Sequence, residues 1–341
     1  MKYISYFLGF FLICGYLPMH YAWVNEDQIR WAVAWVCTGI LLWSPREPLQ
    51  WSWEGVWLLL WACVSIAWTL VLPDAIFELL QWFLLLGCFV AGSFSKQVFE
   101  GAVWGIAVNS ILAICQYYGW HPVMEVSSPA GLFGNRDELA ETAFLIAIPL
   151  FFQKRWKELL LTLPALFLPQ SRAVLLAGFV ILLTKRYWIT CIAIGVVAIL
   201  FTAQKGLDVE SIRIQLWKET ISGLSLFGHG IGSFYSDVLA FSSIHTWRAN
   251  HAHSDWLEIG FELGVPGVAL ASLLAWRLRG CEVFLAFCVM AWVSFCLHNP
   301  ATAVLGFFAA GDFYRRSCVV REPKSLPVLG VGERSPRARL A

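Results

Sequence analysis

Hydrophobic runs close to span length recur from one end of this sequence to the other, and that recurrence restricts the fold before any motif is considered. They fall near residues 3–22, 30–43, 54–72, 76–94, 101–119, 138–152, 158–169, 171–184, 187–203, 254–276, 281–297 and 300–314. About twenty apolar residues cross a bilayer core as a helix, and lipid forces the backbone to satisfy its own hydrogen bonds. The expected fold is therefore all-α: a polytopic transmembrane helical bundle of about twelve spans. Composition agrees, since 14% of residues are charged and 59% hydrophobic, whereas a soluble domain carries about a quarter charged residues. A formal net charge of +1 offers no basic face for nucleic acid.

Charge sets the orientation. With the N-terminus inside, seventeen of the 24 Lys and Arg residues fall on inner links or in the tail, as the positive-inside bias requires. The pair 138–152 and 158–169 is separated by Lys154, Arg155, Lys157 and Glu158, a cluster too charged for membrane depth, so two spans are expected rather than one re-entrant dip. Trp43, Trp51, Trp53, Trp120, Trp156, Trp188 and Trp276 end apolar runs, where an amphipathic ring suits the headgroup layer. Nine of the 10 cysteines lie inside apolar runs and read as unpaired small hydrophobes. Lys2 and the apolar stretch after it resemble a signal peptide, but no A-x-A site follows, so a retained first helix is expected. Residues 1–316 form one membrane domain on this reading, and 317–341, rich in Pro, Gly, Arg and Ser, a disordered cytoplasmic tail.

Seven cations remain on the outer side: Arg30, Arg136, Arg172, Lys205, Arg213, Lys218 and Arg248. For Arg30, Lys205 and Lys218 a tolerated solvated charge competes evenly with a special role, because the bias is statistical. The outer stretch 204–253 carries Ile212, Leu216, Thr220, Ile221 and Leu224 at helical spacing, an amphipathic helix on or against the membrane face. Ser222-Gly223 and Gly228-His229-Gly230-Ile231-Gly232 end it in a flexible turn.

Chemistry concentrates at His251-Ala252-His253-Ser254-Asp255-Trp256-Leu257-Glu258 and the following span. On a helix, His253, Leu257, Gly260, Gly264 and Gly267 would share one face, with His251, Asp255, Glu258 and Glu262 on a neighbouring one. Such glycines admit another helix or a lipid chain, and ionisable groups at the head of a span are costly and more often functional than accidental. Two alternatives stand beside this. The histidines could cap backbone at the interface, or H-x-H with the acids could ligate a metal, although H-x-H splays its rings on a helix and no third ligand at metal-site spacing is evident.

These residues carry a resemblance. His253-Ser254, then Gly264 and Gly267, is similar to the pattern of the O-antigen ligase and polymerase superfamily of bacterial membrane glycosyltransferases. Gly131-Leu132-Phe133-Gly134-Asn135 with Leu139-Ala140 resembles the family's G-x-F-x-N-x-N-x-x-A stretch. Ser171-Arg172-Ala173 resembles its S-R-G/A element, and Arg213 with Trp217 and the Gly228–Gly232 turn resembles its R-x-x-x-W helix and glycine turn. The elements lie in the family's order within 128–270. Asp137 departs from the usual second Asn, and Leu226-Phe227 replaces a Pro.

The resemblance implies an inner-membrane enzyme with both termini cytoplasmic and its site periplasmic. It would transfer a glycan from an undecaprenyl-diphosphate carrier to an acceptor hydroxyl, on lipid A-core, another glycan or a protein, without nucleotide sugar, cofactor or divalent metal. His253 then stands at the position of the general base, with Asp255 or His251 to orient it. Imidazole suits that role at an ordinary pKa near 6.5. Ser254, Gly264 and Gly267 complete the motif. Arg172 and Arg213, with Arg136 and Arg248 as further candidates, would hold the diphosphate, for which guanidinium is the fitting cation. Inversion at the anomeric carbon is expected of a single displacement. Ligase and polymerase are not separated by these residues. A flippase or transporter of lipid-linked glycans is the competing class, for which polar residues near the midplane would be expected; a non-catalytic assembly scaffold is a third.

Overall fold

The computed structural model describes residues 1–14, 26–43, 51–121, 129–187, 208–234, 236 and 251–319. Within them the chain is all-helical, with no strand. The elements are α1 (Lys2–Cys14), α2 (Glu26–Leu42), α3 (Trp53–Ser65), α4 (Leu72–Val90), α5 (Ser95–Tyr117), α6 (Arg136–Phe152), α7 (Trp156–Phe167) and α8 (Arg172–Thr184). They continue as α9 (Asp208–Ser222), α10 (Asp255–Arg277), α11 (Glu282–Met290) and α12 (Pro300–Val319). Apart from Tyr187, the expected run 187–203 lies outside the described residues, as do Lys205, Arg248 and 320–341; residues 317–319, expected in the tail, continue α12.

Local chemistry sets the helix starts. Ser52 accepts from Gly55 N, Asn135 from Asp137 N and Ser254 from Leu257 N, which occupies donors that a helix N-terminus otherwise leaves bare. Asn299 Oδ1 does the same for Ala301 N and Thr302 N, with Pro300 at the first helical position where its missing N–H costs nothing.

Among the described residues, two helical stretches are long and apolar enough to cross a membrane: Leu72–Tyr117, which joins α4 and α5 through a 3-10 turn, and Asp255–Arg277. Lys2–Cys14, Ile29–Leu42, Trp53–Trp68 and Arg172–Thr184 are apolar but shorter. The outward surface is nonetheless rich in large apolar side chains, among them Trp57, Phe77, Trp104, Ile111, Leu160 and Leu273. A water-facing protein rarely presents so much apolar surface. Trp43, Trp51, Trp53, Trp120, Trp156 and Trp276 are likewise exposed. The nine described cysteines are free thiols.

Contacts at the helix ends sort the bundle into two poles. At one pole Arg155 pairs with Glu100 and Glu158, and Lys185 with Glu282. Arg315 and Arg316 pair with Asp312 at the same pole, and Arg277 lies over the Tyr314 ring. At the other pole the start of α6 meets α2, the end of α5, and α12. Arg30 donates to Leu132 O at 2.6 Å, Asn109 Oδ1 accepts from Leu132 N at 2.6 Å, and the Thr142 and Thr302 hydroxyls lie 3.0 Å apart. The Lys185–Glu282 pair joins the end of α8 to the start of α11, so the Arg172 end of α8 lies with the end of α11 at this second pole.

The tightest helix pair is α1 on α5. The spacing Gly101-x-x-x-Gly105 turns a glycine face toward α1 and lets the backbones touch, the small-residue device of membrane helices. A Cβ placed at Gly101 would overlap the Tyr6 carbonyl, and one at Gly9 the Val98 carbonyl. Gly101→Leu is therefore expected to cost at least about 1–3 kcal/mol, the usual scale of overpacking. Gly39→Leu, whose added Cβ meets nothing within 4 Å, should leave the thermal unfolding midpoint in detergent unchanged; equal midpoints for both variants would contradict this packing.

Candidate active site

The second pole is built on a broken helix. In α10, Gly264 has φ +64° and ψ −163°, a conformation that side chains other than glycine's seldom allow, and Pro266 two residues later has no N–H. The break releases three carbonyls, and each finds a partner from elsewhere. Phe261 O accepts from His229 N at 2.9 Å, Glu262 O from Gly230 N at 2.8 Å, and Leu263 O from Trp61 Nε1 at 2.8 Å. Val265 N, deprived of its helical acceptor, donates to Leu226 O at 3.0 Å. The 226–232 segment is thus fastened rather than flexible, with Ile231 fully buried. The expected single glycine face does not form, because the helix starts at Asp255 and is interrupted at Gly264. Gly267 is buried in the second part of α10, where its Cβ position is filled by Leu263.

α9 docks on α10 through Leu216 and Thr220, both buried, whereas Ile221 and Leu224 stay exposed. Trp217 Nε1 donates to Ala252 O at 2.9 Å, which ties α9 directly to the histidine segment. Arg213, one turn earlier, lies 4.0 Å from Asp137 Oδ2 at the start of α6. The Arg136–Asp137, Arg213–Trp217 and His251–Glu258 elements, remote in sequence, therefore converge. Arg172 opens α8 at the same pole.

His251, His253 and His298 cluster at this pole. His251 Nδ1 is 3.0 Å from Glu258 Oε1, and Glu258 Oε2 accepts from Ala252 N at 2.9 Å. The His251 ring stacks on His298, with centroids 3.9 Å apart, and lies parallel to Phe295 at 5.7 Å. His253 stands in the left-handed region at φ +51°, an uncommon place for a non-glycine residue, and meets Phe295 edge-to-face at 5.1 Å. Burial, then the nearby Arg213 cation and His251, push the His253 pKa down to about 4 against the pull of Glu258. Ser254 is buried as the cap of α10.

Asp255 does not orient His253. Its carboxylate accepts from Leu297 N at 2.9 Å and lies 3.3 Å from His298 Nδ1, while its own N–H donates to Ala291 O at 2.8 Å. That last bond explains a second departure from expectation. The apolar run 281–297 suggests one continuous helix, but α11 ends at Met290 and residues 291–299 are turns. Their carbonyls cap α10 instead of extending α11.

Sequence reasoning missed His298, Glu78 and the role of Arg30. The only signal for His298 was its place beside Asn299-Pro300, at the end of an apolar run. Arg30 is not the solvated charge considered above: it is fully buried, 3.9 Å from Glu138 and over the Phe133 ring. It fixes the 131–135 loop.

Compared with known proteins, the chain matches no family model and no curated sequence.

The depressed His253 pKa has a consequence for stability. Between pH 6.5 and 4 the unfolded chain binds a proton at this ring more readily than the folded one, so stability falls as pH falls through that window. His253→Gln should flatten the loss of unfolding midpoint between pH 6.5 and 4.5, by up to about 1.4 kcal/mol per pH unit. Identical slopes for the variant and the wild type would show an ordinary titration.

Proposed function

We propose that this chain is a membrane glycosyltransferase of about twelve spans that moves a glycan from an undecaprenyl-diphosphate carrier to an acceptor hydroxyl at the periplasmic face of a bacterial inner membrane, in the manner of an O-antigen ligase. The observation that carries this reading is convergence: the elements around Gly131–Asn135, Arg172, Arg213–Trp217 and His251–Glu258 gather at one pole of an apolar bundle, opposite the pole that holds Arg155, Lys185, Arg277 and Arg316. That polarity matches the positive-inside bias, with the site outside.

The chemistry needs three things: charge for the leaving diphosphate, a base, and an apolar path for the carrier. Arg136 and Arg172 each open a helix, α6 and α8, so guanidinium charge adds to the positive end of the helix dipole. Arg213 lies 4.0 Å from Asp137, the residue after Arg136. An apolar cavity of about 80 Å³ between α3, α4, α10 and α11, lined by Leu58, Trp82, Leu85, Trp256 and Phe284, reaches Asp255; its lining is of the chemistry that an apolar carrier chain would meet, in a space too small for the chain itself.

In the reaction the acceptor hydroxyl attacks the anomeric carbon and gives up its proton. The bond from that carbon to the diphosphate oxygen breaks, the electron pair leaves with the diphosphate, and arginines stabilise it. His251 is the better-built base, because Glu258 holds its Nδ1 and leaves Nε2 to accept. His253, with a pKa near 4, is a poorer proton acceptor at neutral pH and is assigned to hydrogen bonding with the reactants. Polar residues gathered at one pole favour this reading over a transporter, whose site belongs near the midplane.

In proteoliposomes with a lipid-diphosphate-linked glycan donor, His251→Ala should reduce turnover by about 100-fold or more, and His253→Ala by less. Full activity in His251→Ala, or a larger loss in His253→Ala, would return the base role to His253. Arg172→Ala and Arg213→Ala should each raise the donor KM by about tenfold or more, the scale of a lost charge-assisted hydrogen bond; unchanged donor KM would remove the diphosphate assignment. Gene deletion separates the two acceptor classes. Accumulated free lipid-linked polymer marks a ligase, and a single capped repeat marks a polymerase.

A further inference from the structure

Residues 291–299 place an imidazole among acids contributed by two other helices. His298 Nε2 lies 3.5 Å from Glu258 Oε1 and 3.7 Å from Glu78 Oε1, and its Nδ1 lies 3.3 Å from Asp255 Oδ1. Asp255 and Glu258 are 1% and 3% exposed. Buried carboxylates without a counter-charge are costly, and His298 is the cation-forming group that touches all three.

His251, Glu258 and His298 offer donor atoms within 4.8 Å of one another, a spacing that would admit a metal. The ring geometry argues otherwise. The two imidazole planes are stacked with 28° between them, so their in-plane lone pairs run nearly side by side. They do not converge on a point about 2.0–2.1 Å from each nitrogen, as a zinc ligand pair must. The arrangement is that of two imidazoles sharing one carboxylate oxygen, Glu258 Oε1, at 3.0 and 3.5 Å.

We propose that His298 is a positioning residue of the transfer site: a half-buried imidazolium, held between Glu78 of α4 and Asp255 and Glu258 of α10, that fixes Glu258 against Nδ1 of His251 and so aims Nε2 of His251 at the acceptor hydroxyl. This rests on the transferase reading above. Burial opposes charging of the His298 ring, but Glu258, Asp255 and Glu78 outweigh it and lift its pKa well above the ordinary 6.5. Stacking adds a second constraint, because a ring packed on His251 restricts its rotation. The remaining titratable and charged groups near the pair are Glu262 of α10, which lies near both Glu78 and Glu258 and accepts from Phe234 N, together with His253, Arg213 of α9 and Glu141 of α6. Removing His298 leaves Glu258 facing one imidazole instead of two, and a carboxylate so placed holds a proton on that imidazole harder.

The test uses the full chain in proteoliposomes with the lipid-diphosphate-linked donor, comparing wild type with His298→Gln. Turnover should fall by about a hundredfold, the lower end of what general-base catalysis contributes, while donor KM stays within about twofold. The acid limb of the pH–rate profile should move to higher pH, which loss of folded protein alone would not do. Wild-type turnover with an unmoved acid limb in His298→Gln overturns the proposal, as does turnover abolished by chelation and restored by zinc. A second measurement does not depend on catalysis. Nitrogen-15 histidine spectra of the detergent-solubilised chain at pH 8 should contain one doubly protonated ring that is absent from His298→Gln and lost in Glu258→Gln. A neutral ring at His298 overturns the proposal. If the wild type transfers nothing from the lipid-linked donor, the transferase reading falls, and the spectra alone decide whether His298 is the charged partner of His251 and Glu258.

Discussion

A helix that breaks inside an apolar bundle exposes backbone groups with no water to receive them, and the architecture of the histidine-bearing pole answers that constraint. Gly264 and Pro266 interrupt α10, and the three carbonyls set free recruit His229 N, Gly230 N and Trp61 Nε1. Each unsatisfied group in such surroundings would cost several kcal/mol, so the 226–232 segment is held by the same requirement that the break creates. His229 adds to it, with its ring stacked on Phe261 at 4.3 Å and its Nε2 2.8 Å from Gly223 O. Position follows from there. Once 226–232 is fastened, α9 can only lie against the first turns of α10, and Trp217 reaches Ala252.

The second unwound segment, 291–299, obeys the same rule from the other side. The carbonyls of Ala291 and Ser294 take the Asp255 N–H, and the Asp255 carboxylate takes Leu297 N. An irregular stretch at the end of a bundle is therefore closed by the cap of another helix. The chain then delivers His298 against His251. His253 pays for its left-handed backbone in this setting: Ala252 N on one side is bound to Glu258 and Ser254 on the other caps α10, which leaves the residue between them little choice of conformation.

Much of this was legible in the sequence wherever the signal was local. The starts of α6, α8 and α10 fall within two residues of the expected runs, because Asn135, Ser171 and Ser254 stand immediately before them. The clustering of Arg213, Trp217 and the His251 segment followed from motif order. What failed depended on partners elsewhere in the fold. Nothing between Ala291 and Leu297 breaks a helix by composition, and the acceptor that ends α11 becomes useful only when Asp255 is beside it. Asp255 was expected to serve His253 on the grounds of proximity in sequence, yet its carboxylate points to His298. For Arg30 a solvated charge and a special role competed evenly, since its acceptor, Leu132 O, belongs to a loop far along the chain. The number of spans is not decided by helix length, because several apolar helices end after 12 to 17 residues where caps and turns begin.

Charge is the last link between fold and chemistry. The pole holding Arg155, Lys185 and Arg316 neutralises its cations with surface acids, as an anchoring face requires. The opposite pole spends its acids differently. Glu138 and Asp137 face Arg30 and Arg213, while Glu78, Asp255 and Glu258 face histidines. Arg213, half-exposed beside Asp137, can exchange that partner for a phosphate oxygen, since guanidinium binds both in the same forked geometry, whereas Arg30 is buried and stays with the 131–135 loop. Histidines with buried carboxylates cannot leave theirs, because an uncompensated acid would remain. On the proposed reading, the exchangeable counter-charge at Arg213 lies on the diphosphate side, and the fixed ones lie where a ring is held still.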